Sequence, residues 1–424
     1  MADPATTRAL ERNIRLYPWY AAIFNAYFWM PVFFLYFGKH LSLEDVLKLE
    51  AVYYIGVVLL EVPSGYLSDT VGRRVTLLLA AVFLMVAYVL FIVGSTFAIL
   101  AVAQIFLAAG LAFNSGTDTS FHFDSLAALG KEAEFGAREA VASRNSFLAG
   151  AIAAVAGGVV AVLDLRLAYA LSAVGAVAML VMVWRFTEPA EPAEPVEPDH
   201  EPTTSRGFVR QLASCMLYMR QGSLRWLFVF ALCMTVLNHI PYEFYQPYLS
   251  LLVADTRLTG EAAPMVSGLH MGITMLAASW FAARSIRLRD RIGVGPTLLT
   301  SMGLQIVIIA AMGMALHPII AVIVLLRSAP RAIMAAPLNA AIAPKVHRRH
   351  RATYLSIQSL AGRLSFSGVL VLLSMLAGEG SIDRWLPISR MLTWTAILGC
   401  ASFAVLAITL GAIRSKQAPT DSNS

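Results

Sequence analysis

Long apolar stretches dominate this chain and limit what it can fold into. About twelve of them reach roughly 20 residues, the length that a helix needs to cross the hydrocarbon core of a bilayer. Hydrophobic residues make up 58% of the 424 residues and charged residues only 14%. A soluble domain has a larger charged share. Because the stretches are long and do not alternate with polar residues, they predict helices rather than the strands of a membrane barrel.

Basic residues fall mainly on one side of the predicted membrane. If the chain starts in the cytoplasm, the cytoplasmic breaks hold the basic clusters at 8–15, 73–74, 284–291 and 345–351. The opposite breaks hold only Lys39, Lys48, Arg166, Arg257, Arg384 and Arg390. This asymmetry predicts cytoplasmic N- and C-termini and an even number of spans. It makes the basic cluster at 345–351 an anchor that fixes the membrane topology, so no nucleic-acid partner is expected.

A proline-rich segment divides the apolar stretches into two equal sets. Residues 188–202 read EPAEPAEPVEPDHEP, a composition that favours an extended linker. The segment after it has the spacing of a basic amphipathic helix lying on the inner leaflet, with Phe208, Leu212, Met216 and Met219 among Arg206, Arg210 and Arg220.

These features predict three parts of the chain. Residues 1–187 form an N-terminal six-helix bundle, and 188–222 form the cytoplasmic Glu-Pro-rich linker with its amphipathic helix. Residues 223–424 form a C-terminal six-helix bundle with a short cytoplasmic tail.

A polar break between the second and third stretches carries the most specific motif. Residues 65–74 read GYLSDTVGRR. The pattern resembles the signature loop of the major facilitator superfamily of transporters. A weaker echo, DRIG at 290–293, follows the eighth stretch. The resemblance implies twelve transmembrane helices in two pseudo-symmetric six-helix bundles that move a solute by alternating access.

The residues of this loop have plausible mechanical roles. Gly65 would allow a close helix approach, and Gly72 a tight turn. By resemblance, Asp69 and Arg73, followed by Arg74, form a latch against the start of the eleventh span near Arg351. The positive end of that helix would favour an anion. The alternative is a polar loop that only fixes topology.

The end of the fourth span carries a second polar group. Asp118, His122 and Asp124 are expected near the cytoplasm, within reach of Arg73, Arg138 or Arg144. We interpret Asp118, His122, Asp124 and Arg144 as an intracellular gate network. A substrate site and a metal site are the alternatives, and no metal is predicted. The three cysteines have no metal or redox spacing.

Polar residues deep in a membrane span are functional candidates by default because they are costly there. The candidates for binding substrate or a proton are Asn25, Trp29, Glu61, Asn238, His239, Glu243, Tyr245, Gln246, His270, Arg327, Arg331 and Arg363. Pro241 and Pro247 predict an interrupted seventh span, and transporters bind substrate at such interruptions.

Three interpretations of this set remain open. Glu243 or Glu61 could carry a proton, with the arginines neutralised by carboxylates or carbonyls. The arginines could instead hold an anionic substrate in a bidentate way. They could also lie near the cytoplasmic ends of their helices and extend to the surface.

The leading prediction is a secondary active transporter that exports a small organic solute in exchange for protons. The fifth span ends in Gly157-Gly158, a remnant of a glycine signature of exporters, which favours export slightly. The alternatives are an organic-anion transporter of either direction and a non-transporting receptor or scaffold. No catalytic or phosphate-binding motif occurs, so no enzyme and no cofactor are predicted. We expect a monomer in a bilayer, a bacterial inner membrane by resemblance, with a small-molecule substrate and a coupling proton as partners.

Overall fold

The structure of the chain is a computed structural model that describes residues 4–189, 205–252, 263–377 and 385–415. All regular structure in these ranges is helical. The α-helices, in chain order, are α1 (Pro4–Phe24), α2 (Phe33–His40), α3 (Leu43–Thr70), α4 (Arg73–Val93), α5 (Phe97–Asn114), α6 (Thr117–Ala127), α7 (Phe135–Leu163), α8 (Leu165–Trp184), α9 (Ser205–Leu217), α10 (Gly222–Leu252), α11 (Ala263–Ala282), α12 (Ser285–Ile292), α13 (Val294–Met314), α14 (Pro318–Val324), α15 (Ala329–Ile342), α16 (Arg348–Ala377) and α17 (Trp385–Ser415). Three short 3₁₀ helices lie at Glu132–Glu134, Tyr218–Arg220 and Ala343–Lys345.

Eleven stretches of the described residues are long and apolar enough to cross a membrane. They correspond to the predicted second to twelfth spans, with α5 and α6 sharing one span and α14 and α15 another. The predicted first span is the exception because its apolar residues are divided between the end of α1, an irregular segment and the eight-residue α2. Helix α1 packs on α7 and α8, and α2 contacts α3 and α8.

The irregular segment of the first span, residues 25–32, has a clear physical cause. Pro31 has no N–H to donate, and a proline disfavours helical geometry at the residue before it. The segment packs its backbone directly on α7, where a Cβ added to Gly157 would lie 2.0 Å from the carbonyl oxygen of Phe28. A side chain at Gly157 would therefore push the two apart.

The fourth and tenth spans are also interrupted. In the fourth span the break is at Ser115-Gly116, where Gly116 has a left-handed φ of 71°. In the tenth span, residues 325–328 form turns before Pro330 in the first turn of α15. The break comes late in the fourth span and early in the tenth.

The predicted interruption of the seventh span at Pro241 and Pro247 is wrong. The helix α10 is continuous from Gly222 to Leu252 and passes through both prolines. A membrane helix can absorb a proline because neighbouring helices restore the lost backbone partner. The prolines that interrupt spans here are Pro31 and Pro330.

The buried side chains form one large cluster within residues 17–186 and another within residues 215–406. We call α1–α8 the N-terminal half and α10–α17 the C-terminal half. The two meet mainly where α7 packs along α11 and α3 packs along α16. The structure is thus a bundle of two helical halves with an extensive shared interface. The exact predicted boundaries at 187 and 223 stay a prediction.

Candidate gate and substrate site

The Asp69 carboxylate, at the end of α3, binds the start of α16 in the other half. It accepts hydrogen bonds from the backbone N–H groups of Ala352 at 3.2 Å and Thr353 at 2.8 Å, and from the Thr353 hydroxyl at 2.6 Å. It also pairs with Arg73. Its side chain is fully buried. The predicted contact between this loop and the eleventh span is therefore present, and it uses backbone donors of α16 where the helix dipole is positive.

Arg73 joins the same contact from the start of α4. Its Nη2 donates to the carbonyl of Arg348 at 2.6 Å, and its Nε donates to Asp124 at 3.2 Å. Asp124 in turn pairs with Arg351 and lies 3.3 Å from Nε of Arg348. Three arginines from both halves therefore surround one buried carboxylate. We call the Asp69 and Asp124 contacts with Arg73, Arg348 and Arg351 the gate cluster.

Gly65 and Gly72 allow this arrangement. A Cβ on Gly65 would lie 2.6 Å from the Ser356 hydroxyl and 3.0 Å from the Ala352 carbonyl, so only glycine lets α3 approach α16 this closely. Gly72 has φ 126°, a value that side chains rarely allow. Arg74 does not reach the other half, because its Nη2 donates to the Trp184 carbonyl at 2.9 Å.

The predicted intracellular network is present in part. Nδ1 of His122 lies 2.9 Å from Oε2 of Glu139, and the other oxygen of Glu139 accepts from Asn339 of the C-terminal half at 3.1 Å. Asp118 accepts instead from Asn114 at 3.2 Å and from the Thr119 backbone at 2.6 Å.

Arg144 does not join the predicted network. Its side chain is exposed and donates to its neighbour Asn145 at 2.9 Å. Arg138 pairs with Glu134 at 2.7 Å. Depth counted from the sequence misplaced both, because the helical rotation of α7 turns them away from α6. Of the three arginines considered, Arg73 alone bonds to this group.

Glu61 is buried in the middle of α3. It has no exposed surface, and Ser115, at the break of the fourth span, donates to its Oε1 at 2.6 Å. Arg363 and Ser359 of α16 also interact with this carboxylate. Glu61 therefore faces α16 of the other half.

Arg327 lies at the break of the tenth span on an aromatic surface. Its guanidinium sits 4.1 Å from the ring centroid of Tyr245 and donates to the Thr274 hydroxyl at 2.8 Å. Tyr245 stacks on His270 with ring centroids 5.4 Å apart. Only 5% of Arg327 is exposed. These contacts hold the guanidinium flat and fixed between α10, α11 and α14.

Arg331 and Arg363 are more open. Arg331, one turn after Arg327, is exposed. Tyr27 of the N-terminal half and Arg363 are close enough to interact with its charge. Arg363 is half-buried and lies beside Tyr53 of α3. Within the described residues, no carboxylate oxygen lies within 4.0 Å of Arg327, Arg331 or Arg363.

The arginines do not extend to the ends of their spans. Arg327 and Arg331 lie well inside the span Pro318–Lys345, and Arg363 lies inside the span Arg348–Leu373. The break of the tenth span keeps the first two at its middle. These positions favour the first two sequence interpretations over the third, in which the arginines reach the surface at helix ends.

The remaining candidates have local partners. Asn25 donates to the Ala21 carbonyl at 2.9 Å, and Trp29 donates to the Tyr88 hydroxyl at 3.3 Å. His239 bonds to the Thr235 carbonyl at 2.7 Å, and Asn238 lies 3.8 Å from the Met334 sulfur. Glu243 is exposed, with Glu50 in electrostatic range. The side chain of Gln246 lies outside the described residues.

Several residues of the site were missed from the sequence. Glu139 lies in a helix rich in small residues, where no motif marks it. Glu50 accepts a hydrogen bond from Gln104 at 3.1 Å and lies near the end of its span. Gln211 of α9 reaches Asp69 at 3.0 Å. A count of carboxylates per helix could have found Glu139 and Glu50, whereas no local signal marks Gln211.

Comparisons with known proteins identify the family and the fold. A family model described as Major Facilitator Superfamily matches residues 19–369. Among curated proteins, no sequence matches the chain. Three solved structures are similar. The human organic anion transporter MFSD10 (TETRAN) has a TM-score of 0.69 and 16% identity, covering 95% of this chain and 100% of that one.

The fucose:proton symporter FucP of E. coli has a TM-score of 0.64 and 15% identity, covering 94% of this chain and 98% of that one. The nucleoside transporter NupG has a TM-score of 0.61 and 11% identity, covering 95% and 99%. At these identities the likeness establishes the fold, and the family match establishes the family. The chain therefore belongs to the major facilitator superfamily, as a multi-pass membrane transporter and not an enzyme.

Proposed function

We propose that this protein is a secondary transporter of a small anionic organic solute. The observation that carries the proposal is the set of three mid-span arginines, Arg327, Arg331 and Arg363, with no carboxylate within 4.0 Å among the described residues. A charge inside a span is costly unless it is paired. An anionic substrate would supply the missing partner.

The three arginines have different tasks in this proposal. Arg327 is already held by Tyr245 and Thr274, so it provides a positive charge at a fixed position. Arg331 and Arg363 have open surface and lie opposite Tyr27 and Tyr53 of the N-terminal half. A guanidinium binds a carboxylate or phosphate through two parallel hydrogen bonds. We assign the first contact with substrate to these two residues.

Alternating access requires that the two halves separate at one end at a time. The gate cluster links the halves by hydrogen bonds: Asp69 accepts from the backbone of α16, and Arg73 donates to the Arg348 carbonyl. We propose that it holds that end closed while the opposite end admits or releases solute. The basic residues around it favour the cytoplasmic side. We further propose that the protein works as a monomer in a bacterial inner membrane with both termini in the cytoplasm.

The fold likeness to an organic anion transporter supports only the architecture, because the identity is 16%. The anion proposal therefore needs its own test. We expect a thermal-shift screen of purified protein to find stabilisation by organic carboxylates or phosphates, since a ligand that binds the folded state raises its melting temperature. The matching amides serve as neutral controls, and amines of the same carbon skeleton serve as cationic ones. Stabilisation only by the neutral or cationic members would contradict the proposal.

A second candidate function is proton-coupled export, favoured by Glu61. This carboxylate is wholly buried in the N-terminal half, and Arg363 and Ser359 of the C-terminal half interact with it. Proton binding at this carboxylate would change the charge facing Arg363, and this links the proton to the substrate site. The direction of transport rests on the glycine pair Gly157-Gly158, which allows close packing of α7 against the first span and α11.

A further inference from the structure

The linker helix α9 is fastened to the gate cluster by one side chain. Nε2 of Gln211 has two hydrogens and shares them among three acceptors, Oδ2 of Asp69 at 3.0 Å, the Arg349 carbonyl at 2.9 Å and the Thr353 hydroxyl at 2.7 Å. The first acceptor belongs to the N-terminal half and the other two belong to α16. One amide group therefore bridges the two halves at the point where Asp69 meets α16.

Other residues in and just after α9 each contact one of the two halves. Phe208 packs edge-on against Tyr66 of α3, with ring centroids 5.2 Å apart. On the other side, the thiol of Cys215 points at the His350 carbonyl at 3.7 Å. The Tyr218 hydroxyl, just after α9, accepts from the backbone N–H of His347 at 3.1 Å. The helix thus contacts α3 at one end and the start of α16 along the rest.

Separation of α3 from α16 must break part of this arrangement. If α9 moves with α16, it loses Asp69 and Tyr66, and if it stays with α3, it loses its bonds to α16. The Asp69 carboxylate accepts five donors here, which include Arg73 and Gln211. Gln211 and the backbone of α16 therefore donate to the same carboxylate, and Gln211 helps to fix the orientation of that carboxylate.

We propose that α9 is a working element of the gate and that Gln211 is the positioning residue that couples it to Asp69. The linker between the halves then does more than connect them, because its helix must leave the Asp69 contact each time this end opens. The inference rests on the gate proposed above and can fail separately from it.

Two cysteine positions can report the two movements. Cys215 lies on α9 with 1% of its surface exposed, and burial raises the pKa of its thiol to about 12. Because the thiolate is the reactive form, Cys215 should react slowly with a maleimide until α9 leaves α16. It reports release of α9.

Ser120 reports opening of the gate itself. It is fully buried, and both Gly116 and Asp124, one helical turn to either side on the same face of α6, contact α16. A cysteine at this position would be reached from the gate end only after Asp124 and its arginines separate. The change Ser120→Cys is small and keeps the side-chain shape.

The experiment measures maleimide labelling rates of the full chain in liposomes. One background keeps Cys215 and carries Cys233→Ser and Cys400→Ser. The other carries all three cysteine-to-serine changes with Ser120→Cys. In both, Gln211→Ala should raise the labelling rate about tenfold, because hydrogen bonds to a carboxylate are among the stronger ones. Gln211→Glu, which keeps the side-chain length and opposes Asp69 with a like charge, should raise both rates further.

The outcomes separate a gate element from simple packing. A rise at Cys215 alone would mean that α9 merely lies against the gate, and it would overturn the inference. Unchanged rates at both positions would also overturn it. Gln221→Ala, an exposed glutamine in the same linker, should change neither rate. Asp69→Asn should raise the labelling rate in the Ser120→Cys background. If Asp69→Asn leaves that rate unchanged while Gln211→Ala raises it, the proposed role of Asp69 in the gate is contradicted.

Discussion

Arg327 and Arg331 lie one turn apart, yet they contact their surroundings differently. Arg327 is buried on Tyr245 and bonded to Thr274, whereas Arg331 is exposed toward the space that Tyr27 borders. The first is part of the packing of the half, and the second is available to a ligand. Substitution should therefore separate their roles.

We expect Arg331→Ala to weaken binding of a stabilising organic anion about tenfold or more, since a hydrogen bond to a charged group contributes about 1.5–3 kcal/mol. The melting temperature without ligand should stay unchanged because the side chain is exposed. Arg327→Ala should lower both affinity and melting temperature. The measurement is a thermal-shift titration. Arg331→Lys is the control that keeps the charge, and equal affinities of Arg331→Ala and the parent would count against the anion site.

Asp69→Asn tests the gate by removing one charge at constant shape. The amide has one acceptor oxygen, so several of the five donors around Asp69 lose a partner, at about 1–3 kcal/mol for each buried group left unpaired. We expect turnover in proteoliposomes to fall by more than the affinity for the transported anion. Arg74→Ala is the control, because Arg74 bonds within the N-terminal half. Normal turnover of Asp69→Asn would contradict the latch.

Packing of whole helices depends on glycines whose role is visible only in three dimensions. A Cβ on Gly157 would lie 2.0 Å from the backbone of Phe28, whereas a Cβ on Gly175 of α8 has no atom within 4 Å. We expect Gly157→Ala to destabilise the protein by about 1–3 kcal/mol, the usual cost of overpacking. Gly175→Ala should be neutral or stabilising, because alanine favours a helix.

Melting temperatures of the two variants in one detergent measure this difference. A similar melting temperature for both would mean that the irregular first span is not held by α7. The comparison is matched, since both changes add one methyl group to a membrane helix.

The sequence predicted the spans far better than the breaks within them. Span positions follow from a long apolar run and need no knowledge of neighbours. The breaks depend on which proline lies where a partner can or cannot replace the lost hydrogen bond. Pro241 and Pro247 are absorbed in α10, whereas Pro31 lies in the irregular segment before α2 and Pro330 in the first turn of α15. Pro31 is distinguishable only together with Gly157, which is distant in sequence.

The gate contact was predictable because the loop at 65–74 resembles the signature loop of a known family, and the resemblance implies the contact with the eleventh span. Gln211 was not predictable, since no local signal marks it and its partner Asp69 lies in another part of the chain. Glu139 could be found as a carboxylate within a span, but its partner Asn339 could not. Arg144 was misplaced because depth along a helix does not give the direction in which a side chain points.

At the scale of the whole molecule, the proposed proton site at Glu61 and the proposed substrate site at Arg363 face each other across the interface between the halves. Glu61 lies on α3 beside the break of the fourth span, and Arg363 lies on α16 within its electrostatic range. Both helices continue from this level to the gate cluster, where Asp69 near the end of α3 accepts from the backbone of Thr353 near the start of α16. A change of charge at Glu61 therefore acts on the same helix pair that the gate holds together.

This arrangement predicts proton-coupled transport. In proteoliposomes, an imposed pH gradient should drive uphill movement of the transported anion, and an ionophore that collapses the gradient should stop it. Glu61→Gln, which cannot release a proton, should abolish the uphill component and leave exchange of labelled for unlabelled anion intact. The exposed Glu243 provides the control, because Glu243→Gln should retain the response to the gradient. Transport that continues unchanged without a pH gradient would exclude the proton, and loss of the response in Glu243→Gln alone would move the proton site to α10.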